Sequence, residues 1–193
     1  MNIVRAELVC QKELLLKHKS WKYYLNVCGQ DFPLKTNLEI VRILQLYGGK
    51  NDIQTSAQVN ELRAKFVYVE DDKSIWNTWV FKSDPRPTAI RRIRKGSLFV
   101  ALTRQFVFFL QNSKISKDWF NWLNDTYVPD ESFTQTLARL PNAPGGPNNQ
   151  ESPEMLTRYV VWNYGARPRP KCDGAAPSRT ITFGSGGSQL EIE

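Results

Sequence analysis

The sequence predicts an α/β fold, and three stretches carry that expectation. Residues 4–17 space Leu8, Leu14, Leu15 and Leu16 among charges as a helix would. Residues 21–27, WKYYLNV, are aromatic and β-prone, as in a buried strand, and run into Cys28-Gly29 as a turn. From Thr36 a second helix opens, and a helix, strand, helix succession is a unit of α/β architecture.

That second helix has the clearest local signature. Thr36 and Glu39 form the T-x-x-E capping box, Leu38, Val41 and Leu44 form an apolar stripe, and Gly48-Gly49 supply the stop. Residues 50–61 are polar and loop-like, and ELRAKF adds a short helix. FVYV (66–69) and WNTWVF (76–81) read as short strands. SDPRPTAIRRIRKG, with Arg86, Arg91, Arg92, Arg94 and Lys95 between prolines, reads as a solvated connection.

Beyond it, SLFVAL is a strand and TRQFVFFLQ a helix capped by Thr103, followed by a helix over 114–123. Pro129 in DTYVPDESFTQTLARL suits a first helical position and puts Asp130 and Glu131 in the first turn. PNAPGGPNNQESP is a linker, RYVVWNY a strand and TITF another.

With 193 residues and 41% hydrophobic content, the chain can bury one sizeable core and is expected to form one domain. A net charge of +7 suits a polyanionic partner without choosing among nucleic acid, anionic membrane and phosphorylated small molecule. A nucleic-acid reading rests on charge alone, because the basic run near Arg91 has no aromatic interleaving. No stretch approaches the roughly 20 apolar residues of a membrane span. The N-terminus lacks the basic-then-apolar profile of a signal peptide. The sequon Asn124-Asp125-Thr126 matters only in a secretory protein.

His18 is the lone histidine, which argues against a histidine triad or a multi-histidine zinc centre. FGSGGS lacks P-loop spacing and reads as a turn. Asp130 and Glu131 form the acidic pair of most interest, since a helix end would hold a carboxylate ionised and aimed, although acids are common in first turns for that same electrostatic reason. Trp162 in VVWNY fits a core position or the face of a sugar ring.

Five ordered blocks, CGQDFPLKTNLEIV, KGSLFVALTRQFVFFLQNSKI, DTYVPDE, RYVVWNY and CDG followed by TFGSG, closely resemble the core 2/I-branching β-1,6-N-acetylglucosaminyltransferases of glycosyltransferase family 14. The likeness covers nearly all of the chain. It implies a GT-A-like fold, a mixed sheet flanked by helices, and residues 1–193 as the C-terminal portion of a single catalytic domain. On that likeness the anchor, the stem and the nucleotide-binding half fall upstream of Met1. It also implies inverting, metal-independent transfer of N-acetylglucosamine from UDP-N-acetylglucosamine to the 6-hydroxyl of an acceptor sugar on glycoproteins, in the Golgi lumen. No cofactor is implied beyond the donor, and transfer is expected to be impaired in a chain of this extent. The alternatives are a non-catalytic remnant that keeps an acceptor-facing surface, and a related peptide xylosyltransferase.

The family's catalytic base falls on Glu131, and its acceptor-site tryptophan on Trp162. Other acceptor contacts fall on Gln54 (a family glutamate), Asn60 (a family lysine) and Arg63, which keeps its chemistry. In the absence of a metal the leaving diphosphate needs cationic side chains. The nearest match is Arg179, one place beyond the in-register Ser178, and the family's lysine falls past Glu193. The family cysteine at Cys10 pairs upstream, the one at Cys172 pairs where this chain has Ile181, and Cys28 matches a free thiol, so no disulfide is expected within the chain.

Overall fold

The computed structural model describes residues 1–27, 31–57, 61–71, 74–146, 157, 159–161 and 180–182. In chain order the elements begin with α1 (Asn2–Lys17), β1 (Tyr23–Leu25), α2 (Asn37–Leu46), β2 (Asp52–Ile53), β3 (Ser56–Ala57) and α3 (Glu61–Ala64). Next come β4 (Phe66–Glu70), β5 (Ile75–Phe81), β6 (Arg94–Lys95), β7 (Val100–Thr103), α4 (Arg104–Asn112) and α5 (Lys114–Trp122). A 3-10 turn (Pro129–Glu131), α6 (Phe133–Leu137), β8 (Tyr159–Val161) and β9 (Thr180–Thr182) complete the order. This is the α/β class the sequence implies, built from small sheets flanked by helices.

Strand β7 is the centre of the fold. All four of its residues are buried, and it pairs antiparallel with β1 on one side and β2 on the other. A strand whose two faces are both covered is apolar throughout rather than alternating, as its first three residues are. Its last residue, Thr103, ends the strand and caps α4, accepting the Phe106 N–H at 3.3 Å. Helix α4 then folds back against β7 and β1 and packs on α1 and α5.

Around this centre Phe106, Leu102, Trp119, Leu123, Leu137 and Ile93 are fully buried, and Trp119 stacks on Trp122 at 5.1 Å between centroids. Fully burying one large apolar side chain is worth about 1.5–3 kcal/mol, so six of them outweigh any single surface contact. Buried Asn26 is satisfied on both sides. It accepts the Val100 N–H at 2.8 Å and donates to the Leu98 carbonyl at 3.1 Å and Glu7 Oε1 at 3.3 Å.

The capping box of α2 is present, with Thr36 accepting from the Glu39 N–H and Glu39 accepting from Thr36. Gly48 and Gly49 both have positive φ. The apolar stripe behaves differently from a core-facing one: no residue of α2 is buried, and Leu38 and Val41 are 60% and 50% exposed. Capping and stop chemistry dictate that a helix forms; packing needs an element laid over it.

Three further expectations are corrected. Residues 50–61 are not loop alone: β2 pairs with β7, and β3 pairs with β6. Two-residue strands carry no readable periodicity. The basic segment is not simply a solvated connection either, because Ile90 and Ile93 are buried to 2% exposure and Arg86 pairs with Glu61 at 3.2 Å. The helix expected from Pro129 divides into the 3-10 turn and α6, which meet at Ser132. Cys10 is a free, exposed thiol; Cys28 and Cys172 lie outside the described residues.

Gly96, directly after β6, sits where two backbones nearly touch. A Cβ built there would lie 1.8 Å from the Gln54 carbonyl oxygen and 3.0 Å from Gln135 Cγ. Only a residue without a side chain fits without moving backbone. Gly96→Ala is expected to cost more than about 2 kcal/mol in urea unfolding, in the range of substitutions that force overpacking. An unchanged midpoint would show that the two segments separate freely.

Candidate active site

The DTYVPDE stretch is shaped by its proline. A residue preceding proline is kept out of the right-handed helical region. Val128 takes φ 49° and ψ 58° instead, a left-handed conformation that is uncommon and strained for a β-branched side chain. Pro129 then starts the 3-10 turn, closed by Ser132 N–H to the Pro129 carbonyl at 3.0 Å and Glu131 N–H to the Val128 carbonyl at 3.3 Å.

This turn sends its two acids into different surroundings. Asp130 lines a narrow crevice against α1 with Val4, Leu8, Val100 and Phe133, beside Glu7. Burial pushes its carboxyl above the usual aspartate value, and the neighbouring Glu131 charge adds to the rise. Glu131 faces a separate cavity of about 60 Å³, lined among others by Ala64, Ile93, Lys95, Tyr127 and Val128. That volume admits a few water-sized groups.

Glu131 is held by Lys95, with Nζ to Oε2 at 2.9 Å. The carboxylate side chain is 37% exposed and the lysine 53%, so the pair is worth at most about 1 kcal/mol to stability. Its consequence is geometric: an oriented carboxylate at the mouth of a cavity. A three-residue turn has little macrodipole, which falls off within a helical turn. The aiming expected of a helix end is therefore supplied by the Lys95 ammonium.

The same junction draws in Gln54. The Gly96 N–H donates to the Glu131 backbone carbonyl at 2.9 Å while the Gln54 carbonyl crowds the other side of Gly96. Arg63 belongs to α3, whose buried Ala64 walls the Glu131 cavity, so the helix carrying Arg63 borders it too. Asn60, Trp162 and Arg179 lie outside the described residues, as does the side chain of Arg63.

Two residues at this site escaped the sequence reading. Lys95 was counted in a solvated basic run, though the apolar Ile90 and Ile93 within that run signal that it dips into the core. Tyr127, in the cavity wall, stands 5.3 Å from Tyr68 of β4, ring to ring. No local pattern announces a contact over that sequence separation.

The family model described as Core-2/I-Branching enzyme matches residues 1–183. This chain belongs to that family. Among curated relatives, beta-1,3-galactosyl-O-glycosyl-glycoprotein beta-1,6-N-acetylglucosaminyltransferase 4 of Danio rerio is 37% identical over 94% of this chain and 45% of its own length. The Homo sapiens beta-1,3-galactosyl-O-glycosyl-glycoprotein beta-1,6-N-acetylglucosaminyltransferase is 37% identical over 95% of this chain and 45% of its own length. For the Homo sapiens N-acetyllactosaminide beta-1,6-N-acetylglucosaminyl-transferase the figures are 34%, 95% and 46%. The chain thus spans less than half the length of these relatives. Among the described residues no helix is long and apolar enough to cross a membrane.

The two carboxylates differ in a way that pH reveals. Because the folded-state value of Asp130 lies above its unfolded one, ionising it opposes folding: the penalty is absent below about pH 4 and grows as pH rises through the folded value. Asp130→Asn removes the penalty. The variant is expected to melt higher than the parent at pH 7, with the gap closing towards pH 4, as read by circular-dichroism melts across pH. A gap that does not change with pH contradicts the assignment.

Proposed function

We propose that this chain forms the acceptor-activating side of a β-1,6-N-acetylglucosaminyltransferase site, with Glu131 as general base. The observation that carries the reading is the Glu131 carboxylate, fixed by Lys95 at a cavity that α3 also walls. The relatives' names supply the reaction class, transfer of N-acetylglucosamine in a β-1,6 linkage during O-glycan branching.

A sugar 6-hydroxyl is a weak nucleophile until a positioned base accepts its proton. In this reading the acceptor hydroxymethyl group enters the cavity, its hydroxyl proton passes to Glu131, and its oxygen attacks the anomeric carbon of N-acetylglucosamine. The bond from that carbon to the diphosphate of UDP breaks on the opposite face, so configuration inverts. Gln54 and Arg63 would orient the acceptor galactose with Asn60, and Trp162 would pack against a sugar ring. Arg179 would meet the departing diphosphate in place of a metal. The setting proposed is the Golgi lumen, with glycoprotein glycans as acceptors.

The test uses a chimera in which residues 1–183 replace the matching segment of the human galactosyl-O-glycosyl-glycoprotein relative. Such a chimera is expected to transfer N-acetylglucosamine, and Glu131→Gln to slow turnover by about 10²–10⁴-fold while donor binding is kept. Equal turnover by the variant would overturn the base assignment.

A further inference from the structure

The basic segment before β6 leaves a second feature unexplained. A groove of about 710 Å³ runs between that segment and the end of α6, with Arg91, Arg92, Arg94 and Arg139 among its lining and, among the described residues, no carboxylate. Arg91 and Arg92 are exposed, and among the described residues neither guanidinium has a hydrogen-bond or ion-pair partner. Arg139 is pre-oriented, its Nε donating to buried Thr55 Oγ1 at 3.0 Å. Thr136 fixes the other wall, its Oγ1 accepting the Arg94 N–H at 3.0 Å.

This groove is not the Glu131 site. Consecutive residues on a strand face opposite ways, so Lys95 turns to Glu131 while Arg94 turns to the groove. The guanidiniums of Arg91 and Arg92, beside Arg94 and Arg139 on one concavity, form an oxyanion site, since an unengaged guanidinium offers a planar fork of donors that matches sulfate, phosphate or carboxylate. The volume falls within the range of small-ligand pockets and exceeds what a single inorganic ion needs. Among the described residues no aromatic side chain lines it to stack a nucleobase. Its concavity keeps Arg139 away from a flat membrane.

We propose that this groove binds an acidic sugar, a sulfated or sialylated residue of a glycoprotein glycan, as a site separate from the Glu131 cavity. The choice of a glycan rests on the transferase reading above; the preference for an anion does not.

Isothermal titration of the full chain tests it with 3-O-sulfated galactosyl-β-1,3-N-acetylgalactosamine, the same disaccharide without sulfate, and anionic phospholipid vesicles. The sulfated sugar is expected to bind at least about tenfold more tightly than the neutral one, and to weaken as salt rises. Replacing both exposed arginines, Arg91→Ala with Arg92→Ala, should weaken sulfated binding about tenfold or more without shifting the melting temperature. The base assignment is read by turnover of Glu131→Gln in the chimera and this site by the sulfate-dependent part of binding, so failure of one and failure of the other are read separately. Equal binding of both sugars, insensitivity to the double variant, capture by vesicles alone, or no binding would each overturn the proposal.

Discussion

The contact on which the candidate site depends is a backbone crossing at Gly96. Its N–H bonds the Glu131 carbonyl, and its missing side chain lets the Gln54 carbonyl approach closer than any Cβ allows. Three sequence-distant segments meet there: the β2–β3 connection, the end of the basic segment at Lys95, and the PDE turn. Without that crossing Lys95 would have no reason to lie against Glu131, and the carboxylate would sweep through solvent. The energies involved are small at the surface pair and large in the backbone packing, so the fold positions the ion pair rather than the reverse.

Strain and solvation divide the labour between the two acids. Val128, ahead of Pro129, sits in a strained left-handed conformation, and the turn that follows points Asp130 at α1 and Glu131 at the cavity. Neighbouring carboxyls in unlike surroundings have their pKa values pushed apart and so can take different roles. Asp130 sits in a crevice too narrow for a sugar, with its charge opposed by burial. Glu131 keeps a counter-ion and an opening.

Much of the fold was legible in the sequence because its signals are local. The α2 capping box, the Thr103 cap between β7 and α4, and the β4 and β5 runs each declare themselves within a few residues. What stayed hidden is long-range. Strands β2 and β3 have two residues each and exist only because β7 and β6 offer them partners. The exposure of Leu38 and Val41 cannot be read from a stripe, since a stripe says which face is apolar and not what covers it. At the site, Glu131 was legible through a resemblance carried by VPDE. Lys95 was not, because nothing in RIRKG states which acid its ammonium will meet.

The proposal that joins these observations is that a galactose hydroxymethyl group enters the small cavity with its oxygen against the Glu131 carboxylate that Lys95 holds. A crystal structure with galactosyl-β-1,3-N-acetylgalactosamine bound tests this directly. The account predicts the galactose O6 within about 3.2 Å of a Glu131 oxygen, hydrogen-bond reach for a general base. Acceptor bound elsewhere, with the cavity empty, would contradict it.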